Sequence, residues 1–300
     1  MLNKIVIFGV GLIGGSFAAA LREAGAVRDV VGVGRGAASL LRARELGLID
    51  TVAESVEDAL RDADLVLLAA PVAQTEAILA AIEPWLQPQT VVTDAGSIKG
   101  EVIAVAQRML GDKIAQFVPG HPIAGRETTG PDAASADLYV GKKVVLTPLP
   151  QNRAEHVARV ERAWQQCGAV VHAMSAQEHD AVFAAVSHLP HLLAFALVDE
   201  CAGRDNADQL FRYAASGFRD FTRIAGSSPE MWRDIALSNQ SAILDELDAY
   251  MRQIAAMRDA LAARDGATLE AMFANAQRAR HAWLQNIEKA ETPPEQDRDA

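Results

Sequence analysis

The stretch that most constrains the fold is the first one. Lys4-Ile5-Val6-Ile7-Phe8 reads as a buried β-strand. Gly9-Val10-Gly11-Leu12-Ile13-Gly14-Gly15-Ser16 follows at once and leads into the helical pattern Phe17-Ala18-Ala19-Ala20-Leu21. In a strand–turn–helix unit of this kind the first glycine allows the tight turn, and the second removes the Cβ that would hold the backbone away from a pyrophosphate. The third lets helix and strand pack closely. A pyrophosphate there accepts hydrogen bonds from free N–H groups at a helix N-terminus. The segment reads as a dinucleotide-binding turn, with Gly9, Gly11, Leu12, Ile13 and Gly14 against the cofactor.

The second strand, Val30-Val31-Gly32-Val33, ends at Gly34-Arg35-Gly36 instead of at the acid that usually takes the ribose hydroxyls. A carboxylate there would repel a 2′-phosphate, whereas an Arg can pair with one and stack on adenine. The departure favours NADP, or tolerance of both NADP and NAD, with Arg35 as the deciding residue; a solvated Arg on a surface loop is the plainer alternative.

Strand and helix patterns then alternate. Helices are expected near Ser39–Leu46, Val56–Asp62 and Thr75–Trp85, and strands at Leu65–Ala69, Thr90–Thr93, Gln116–Val118, Val144–Thr147 and Ala169–His172. Near-continuous Val/Ile/Leu strands between helices indicate a parallel sheet covered on both faces. From about Ser175 the β-like runs stop, and helices are expected over Gln177–Val198, Asp205–Phe211, Met231–Arg258 and Thr268–Glu288. The expected fold is therefore an α/β, Rossmann-like doubly wound parallel sheet over residues 1–174, followed by an all-α helical domain over 175–290 and a polar tail over 291–300.

A formal charge of −11 argues against nucleic acid or an anionic membrane as partner, so an anionic substrate must meet a local basic cluster. No uninterrupted apolar run reaches the roughly 18 residues of a membrane span. The N-terminus also lacks the basic, apolar, small order of a signal peptide. The expectation is a cytoplasmic chain. Cys167 and Cys201 have neither disulfide nor zinc spacing and read as reduced, packed thiols, with no metal site.

In doubly wound sheets ligands bind beyond the carboxyl ends of the strands. Three such segments should rim one crevice: Ala70-Pro71-Val72, Asp94-Ala95-Gly96-Ser97-Ile98-Lys99-Gly100, and Gly120-His121-Pro122-Ile123-Ala124-Gly125. Ala70, Pro71, Asp94 and Gly96 would then border the cofactor. His121, between a Gly and a Pro on a fixed backbone, is the best acid/base candidate and is expected to titrate near neutrality. Ser97 stands at an expected helix start, where it is either an N-cap or a hydrogen-bond partner of the hydroxyl that His121 deprotonates.

The motifs GVGLIGGS, DAGSIKG, HPIAG followed by Glu127, SHLPH (Ser187–His191) and GFRDFTRIA (Gly217–Ala225) with Met231-Trp232-Arg233-Asp234 resemble, in order and spacing, the prephenate dehydrogenase family, also called cyclohexadienyl or TyrA dehydrogenases. The likeness runs from residue 3 to about 285. It implies oxidative decarboxylation of prephenate to 4-hydroxyphenylpyruvate, or of arogenate to tyrosine, with hydride passing to NAD(P)+. By the same resemblance His121 is the general base, Arg223 binds a substrate carboxylate, and His188 and His191 lie beside the substrate. Glu127 gates the pocket, and Trp232 walls the site. Arg219, with Arg212 and Arg233 nearby, would strengthen the local positive field.

Pro190 removes a hydrogen bond inside the apolar run, so a kinked or restarted helix is expected, whose positive end would lower the histidine pKa values. The apolar runs at Leu192–Val198 and Ile243–Leu247 call for a covering surface, most economically a second copy of the chain, and a homodimer through the helical domain also fits the family. Tyrosine feedback, common among relatives, would have to act at the active site.

Two other classes compete. A β-hydroxyacid dehydrogenase would need a helical-domain lysine, but after Lys143 the next is Lys289. A non-catalytic NAD(P)-binding dimeric sensor would have no use for His121, Ser97 and Arg223.

Overall fold

The computed structural model describes residues 1–126 and 128–291, with side chains described to residue 286. Glu127 and residues 292–300, most of the expected tail, lie outside the described residues. Two compact units are present, Met1–Ile243 and Leu244–Ala300.

The first unit is organised by a six-stranded parallel sheet formed by β1 (Leu2–Phe8), β2 (Val27–Val33), β3 (Thr51–Val52), β4 (Leu65–Leu68), β5 (Val91–Asp94) and β6 (Phe117–Val118). Their order is β3-β2-β1-β4-β5-β6. The direction of winding reverses between β1 and β4, paired in parallel from Ile5↔Leu65 to Phe8↔Leu68, and the crevice of a doubly wound sheet opens beyond that point. The strands are buried on both faces: Ile5, Ile7, Leu65, Leu67 and Val91 face one apolar cluster, and Val6, Phe8, Val66, Leu68 and Val92 face the other. This two-sided burial produces the unbroken Val/Ile/Leu runs of the sequence.

The later strands depart from the expected single sheet. β7 (Gly120–Pro122), β8 (Lys143–Leu146) and β9 (Val170–Ala173) form a separate three-stranded sheet, in which β7 and β8 are antiparallel and β8 and β9 parallel. Pro119 separates β6 from β7, and having no N–H it cannot continue a ladder. His121 consequently sits in mid-strand opposite Val145, not at the end of a strand of the large sheet.

An amphipathic helix, Ala154–Gln166, has no counterpart in the expectation; it buries His156, Val160, Ala163 and Trp164 and exposes its charged residues. The expected helix Met231–Arg258 is two helices, Pro229–Ser238 and Gln240–Ala262, broken at Asn239. Residues 176–202 run as one continuous helical stretch: α-helix Ala176–Phe183, a π turn Ala184–His188, and α-helix Leu189–Ala202. The π turn absorbs the hydrogen bond that Pro190 cannot donate, so the helix widens instead of stopping. Contrary to the expectation, this stretch is long and apolar enough by length and composition to cross a membrane, with a mean hydropathy of 1.9 in an 18-residue window. Its polar residues interrupt the apolar run, but too few of them do so to bring the average below that of a membrane span. The second unit contains the remainder of helix Gln240–Ala262 and the helix Gly266–Glu291.

Candidate active site

The glycine turn has the geometry its chemistry needs. Gly9 has φ +94°, and a Cβ there would stand 2.6 Å from the carbonyl oxygen of Ala69, which precedes Ala70-Pro71. At Gly14 a Cβ would lie 2.3 Å from the Gly9 carbonyl oxygen and 2.7 Å from Ile7 Cγ2. At Gly11 a Cβ would meet nothing within 4 Å, so the backbone is open on that side. The helix it starts, Leu12–Glu23, has no side-chain cap and no acidic residue in its first turn. Open N–H donors without a competing carboxylate suit the diphosphate of a dinucleotide, and these residues fit one. Arg35 is exposed beyond β2, one residue before Gly36, which caps helix Ala37–Glu45.

The DAGSIKG segment builds the floor beneath His121. Lys99 is fully buried, and its Nζ pairs with Asp94 Oδ2 and donates to the Gly120 carbonyl at 2.7 Å. Asp94 also accepts the N–H groups of Gly96 at 2.8 Å and Gly120 at 3.0 Å. A Cβ at Gly96 would come within 2.8 Å of Asp94 Oδ2, so the glycine makes room for the ion pair. Asp94 is thus committed to holding β5 and β7 together, and any help it gives a cofactor comes through the backbone it fixes. The helix opens at Gly100 with Lys99 as N-cap, so Ser97 is not the cap expected of it. Ser97 is left half-buried in the loop after β5.

His121 does not stand alone. Its Nδ1 lies 2.9 Å from His179 Nε2, and His179 Nδ1 lies 2.7 Å from Asp180 Oδ1. Phe183 packs edge-on to His121 with ring centroids 4.9 Å apart. Burial, reinforced by the charges of Lys99, His179 and His188, pushes the His121 pKa well below the usual histidine value. It therefore does not titrate near neutrality as expected; it is neutral there, the state a base requires.

Three expected substrate residues come together. The His191 ring stacks on buried Trp232 with centroids 3.6 Å apart, and burial followed by the positive charge of Arg223 lowers the His191 pKa. His188 is buried beneath them, edge-on to Trp232 at 6.1 Å, and its Nδ1 lies 3.1 Å from Asn239 Nδ2. Its pKa is lowered to about 4, chiefly by burial, with the charges of His179 and His191 adding to the fall. Arg219 and Arg212 are exposed, and Arg233 pairs with Asp234 at 2.6 Å.

Sequence reading missed His179, Asp180, Lys99 and Asn239. The available signal was the polar pair His179-Asp180 in an apolar helix. Nine residues of ideal helix place His179 and His188 on opposite faces at about 100° per residue. The π turn takes up one residue and brings them back to about 80° apart. Asn239 then bridges the two segments, donating to the Asp180 carbonyl at 2.9 Å as well as reaching His188.

Comparison with known proteins gives one answer. A family model described as prephenate dehydrogenase, nucleotide-binding domain, matches residues 17–173, starting just after the glycine turn, and one described as prephenate dehydrogenase, dimerization domain, matches residues 175–275. Among characterised relatives, a cyclohexadienyl dehydrogenase of Zymomonas mobilis is 39% identical over 93% of this chain and 96% of its own length. A prephenate dehydrogenase of Bacillus subtilis is 36% identical over 92% of this chain and 75% of its own. Among solved structures, the prephenate dehydrogenase of Aquifex aeolicus in complex with hydroxyphenyl propionate and NAD+ superposes with a TM-score of 0.88 at 36% identity, covering 94% of this chain and 98% of that one.

Proposed function

The chain belongs to the prephenate dehydrogenase family and is an NAD(P)-dependent oxidoreductase, and from that premise we propose how its own residues divide the work. The reaction is the oxidative decarboxylation of prephenate, with arogenate as the alternative substrate. The dinucleotide, when bound on Gly9, Gly11, Leu12, Ile13 and Gly14 and bordered by Ala70, Pro71 and Gly96, supplies the hydride acceptor.

His121 accepts the proton of the ring 4-hydroxyl at Nε2, and Ser97 hydrogen-bonds the same hydroxyl. As the carbinol hydrogen leaves with its electron pair, the bond from the ring to its carboxylate breaks and carbon dioxide departs. The electrons of that bond complete the aromatic ring, and the proton held by His121 returns to what is now a phenolic oxygen. Arg223 holds a substrate carboxylate in its planar fork. His191 and Trp232 wall the ring, with His188 behind them. Arg219 adds positive field, and Glu127 gates the pocket. The observation that carries this reading is His121 itself, neutral, half-buried and hydrogen-bonded on its far nitrogen.

Arg35 makes NADP the preferred cofactor, with NAD retained as a second. The cofactor residues lie before residue 174 and Arg223, His188, His191, Trp232 and Arg219 after it, while Ser97, His121 and Glu127 meet the substrate from the first part. The chain is a homodimer through its helical region, a reading supported by the match of residues 175–275 to a dimerization domain and by the exposed apolar side chains Val186 and Leu237 on those helices. Tyrosine competes at the substrate site. The cytoplasmic setting is carried by the family alone. Initial rates with prephenate and arogenate, each against NAD+ and NADP+, test the whole scheme; no turnover in any of the four combinations would sink it.

A further inference from the structure

The hydrogen bonds behind His121 run in one direction only. Asp180 Oδ1 accepts the Lys99 N–H at 2.8 Å, and Oδ2 accepts the Gly100 N–H at 2.7 Å. These are the free amides at the start of helix Gly100–Leu110, a place that favours a carboxylate. A Cβ at Gly100 would stand 2.9 Å from Asp180 Oδ2, so the glycine is what admits the side chain. Burial alone would raise the Asp180 carboxyl, but the bonds from His179 and from the Gly100 and Lys99 amides outweigh it and hold the group below the ordinary carboxylate range. An ionised carboxylate only accepts, so His179 Nδ1 must donate to it. Neutral His179 then presents a bare lone pair at Nε2, and the contact at 2.9 Å requires an N–H on His121 Nδ1. His121 Nε2 is left bare. The opposite tautomer would set two lone pairs or two hydrogens against each other.

We propose that His179 and Asp180 are positioning residues that hold His121 with its Nε2 lone pair toward the reacting hydroxyl and take up the charge of the proton it accepts. The inference rests on His121 as the base. When Nε2 gains the hydroxyl proton, the Nδ1 proton can shift to His179 Nε2, which moves the positive charge next to Asp180. One proton enters at Nε2 and one crosses to His179, and both return when the phenolic oxygen is reprotonated. The charged and titratable groups facing the two rings are Lys99, Asp94, His188 and Asp180. Asp180 is the carboxylate in hydrogen-bond contact with them. Asn239 fixes its backbone and the far helix together.

Two variants and one spectrum test this. In a serine protease triad, replacing the carboxylate behind the histidine by an amide costs about 10⁴ in kcat. Here, with a second imidazole interposed, Asp180→Asn should cost roughly 10²–10³ in kcat with KM within about threefold. The acid limb of kcat/KM should move to lower pH, because the carboxylate no longer favours the protonated ring. His179→Gln keeps an acceptor for His121 Nδ1–H but cannot take the proton, so it should lose about tenfold and shift the acid limb the same way. A merely structural role would lower thermal stability and leave that limb in place. If Asp180→Asn fails to fold, His179→Gln decides: activity within threefold of the parent with an unmoved acid limb overturns the proposal. Imidazole nitrogen NMR of the unmodified protein should show His121 and His179 both protonated on Nδ1; a His121 protonated on Nε2 overturns it as well. That spectrum does not depend on which substrate is turned over, so it separates failure of this inference from failure of the prephenate reading.

Discussion

The two halves of the site are built on opposite physical plans. The turn from Gly9 to Gly14 is contiguous in the chain and made of backbone, and it works because atoms are missing: a Cβ at Gly9 or Gly14 would meet backbone oxygen at 2.6 or 2.3 Å. The cluster around His121 is made of side chains gathered from residues 94–100, 121, 179–191 and 239, and it works because each donor and acceptor is present in a fixed order. A region of the first kind is damaged by adding atoms and one of the second kind by removing them.

The largest effect expected is at the end of the side-chain chain. His121→Asn should lower kcat by about 10²–10⁴, the range for a positioned acid/base group, while cofactor affinity measured by fluorescence titration stays near the parent value. A loss under about threefold would mean that the cluster is architecture and the chemistry lies elsewhere. Next is Lys99→Met, which leaves Asp94 buried without its cation. Breaking a buried pair by removing one partner costs about 3–5 kcal/mol, read as a shift in the urea midpoint. A shift below 1 kcal/mol would show that water reaches Asp94 after all.

The same region should respond to acid. His188 falls from 6.5 in the unfolded chain to about 4 in the fold. Its depressed value means that the unfolded chain binds the proton more tightly, so the stability is present above pH 6.5 and is lost as pH falls toward 4. The loss should reach about 2 kcal/mol by pH 5. Denaturant titrations at pH 7 and pH 5 measure it, and His188→Gln should remove this share of the difference while the depressed His121, His179 and His191 keep theirs; a difference left unchanged by His188→Gln would assign the acid sensitivity to those other groups.

These contrasts also explain what could be read from the chain. The turn and the parallel strands follow from local patterns, since glycine spacing and unbroken Val/Ile/Leu runs are properties of neighbours. His121, His191, Arg223 and Trp232 were singled out because their motifs stand out. His179 and Asp180 were not, because their meaning lies in contacts 58 and 80 residues away, with His121 and Gly100, and in a π turn that no periodicity reveals. Asn239 was hidden inside what reads as one long helix. Two strands of the small sheet, β8 and β9, were expected, but not their separation from the large sheet, because the antiparallel pairing of β7 with β8 joins residues more than 20 positions apart.

The backbone plan makes a sharper pair of predictions. Gly14→Ala forces a methyl against the Gly9 carbonyl and should cost about 1–3 kcal/mol of stability as well as cofactor affinity. Gly11→Ala meets no protein atom within 4 Å, so it should change the melting temperature little while weakening cofactor binding by tenfold or more. Equal losses of stability at both positions would refute the idea that Gly11 is kept open for a ligand.

The smallest effect should come from Arg35, because it is exposed and a solvated charge contributes little until it meets a partner. In the function proposed above that partner is the 2′-phosphate, present in NADP+ and absent from NAD+. Arg35→Ala should therefore raise KM for NADP+ about tenfold, near the lower end of the range for a charge-assisted hydrogen bond, and leave KM for NAD+ within about twofold. Arg35→Asp should go further and reverse the preference, since a carboxylate repels the phosphate and suits the ribose hydroxyls. Equal changes for the two cofactors would place Arg35 against the adenine they share and return the choice between them to another residue.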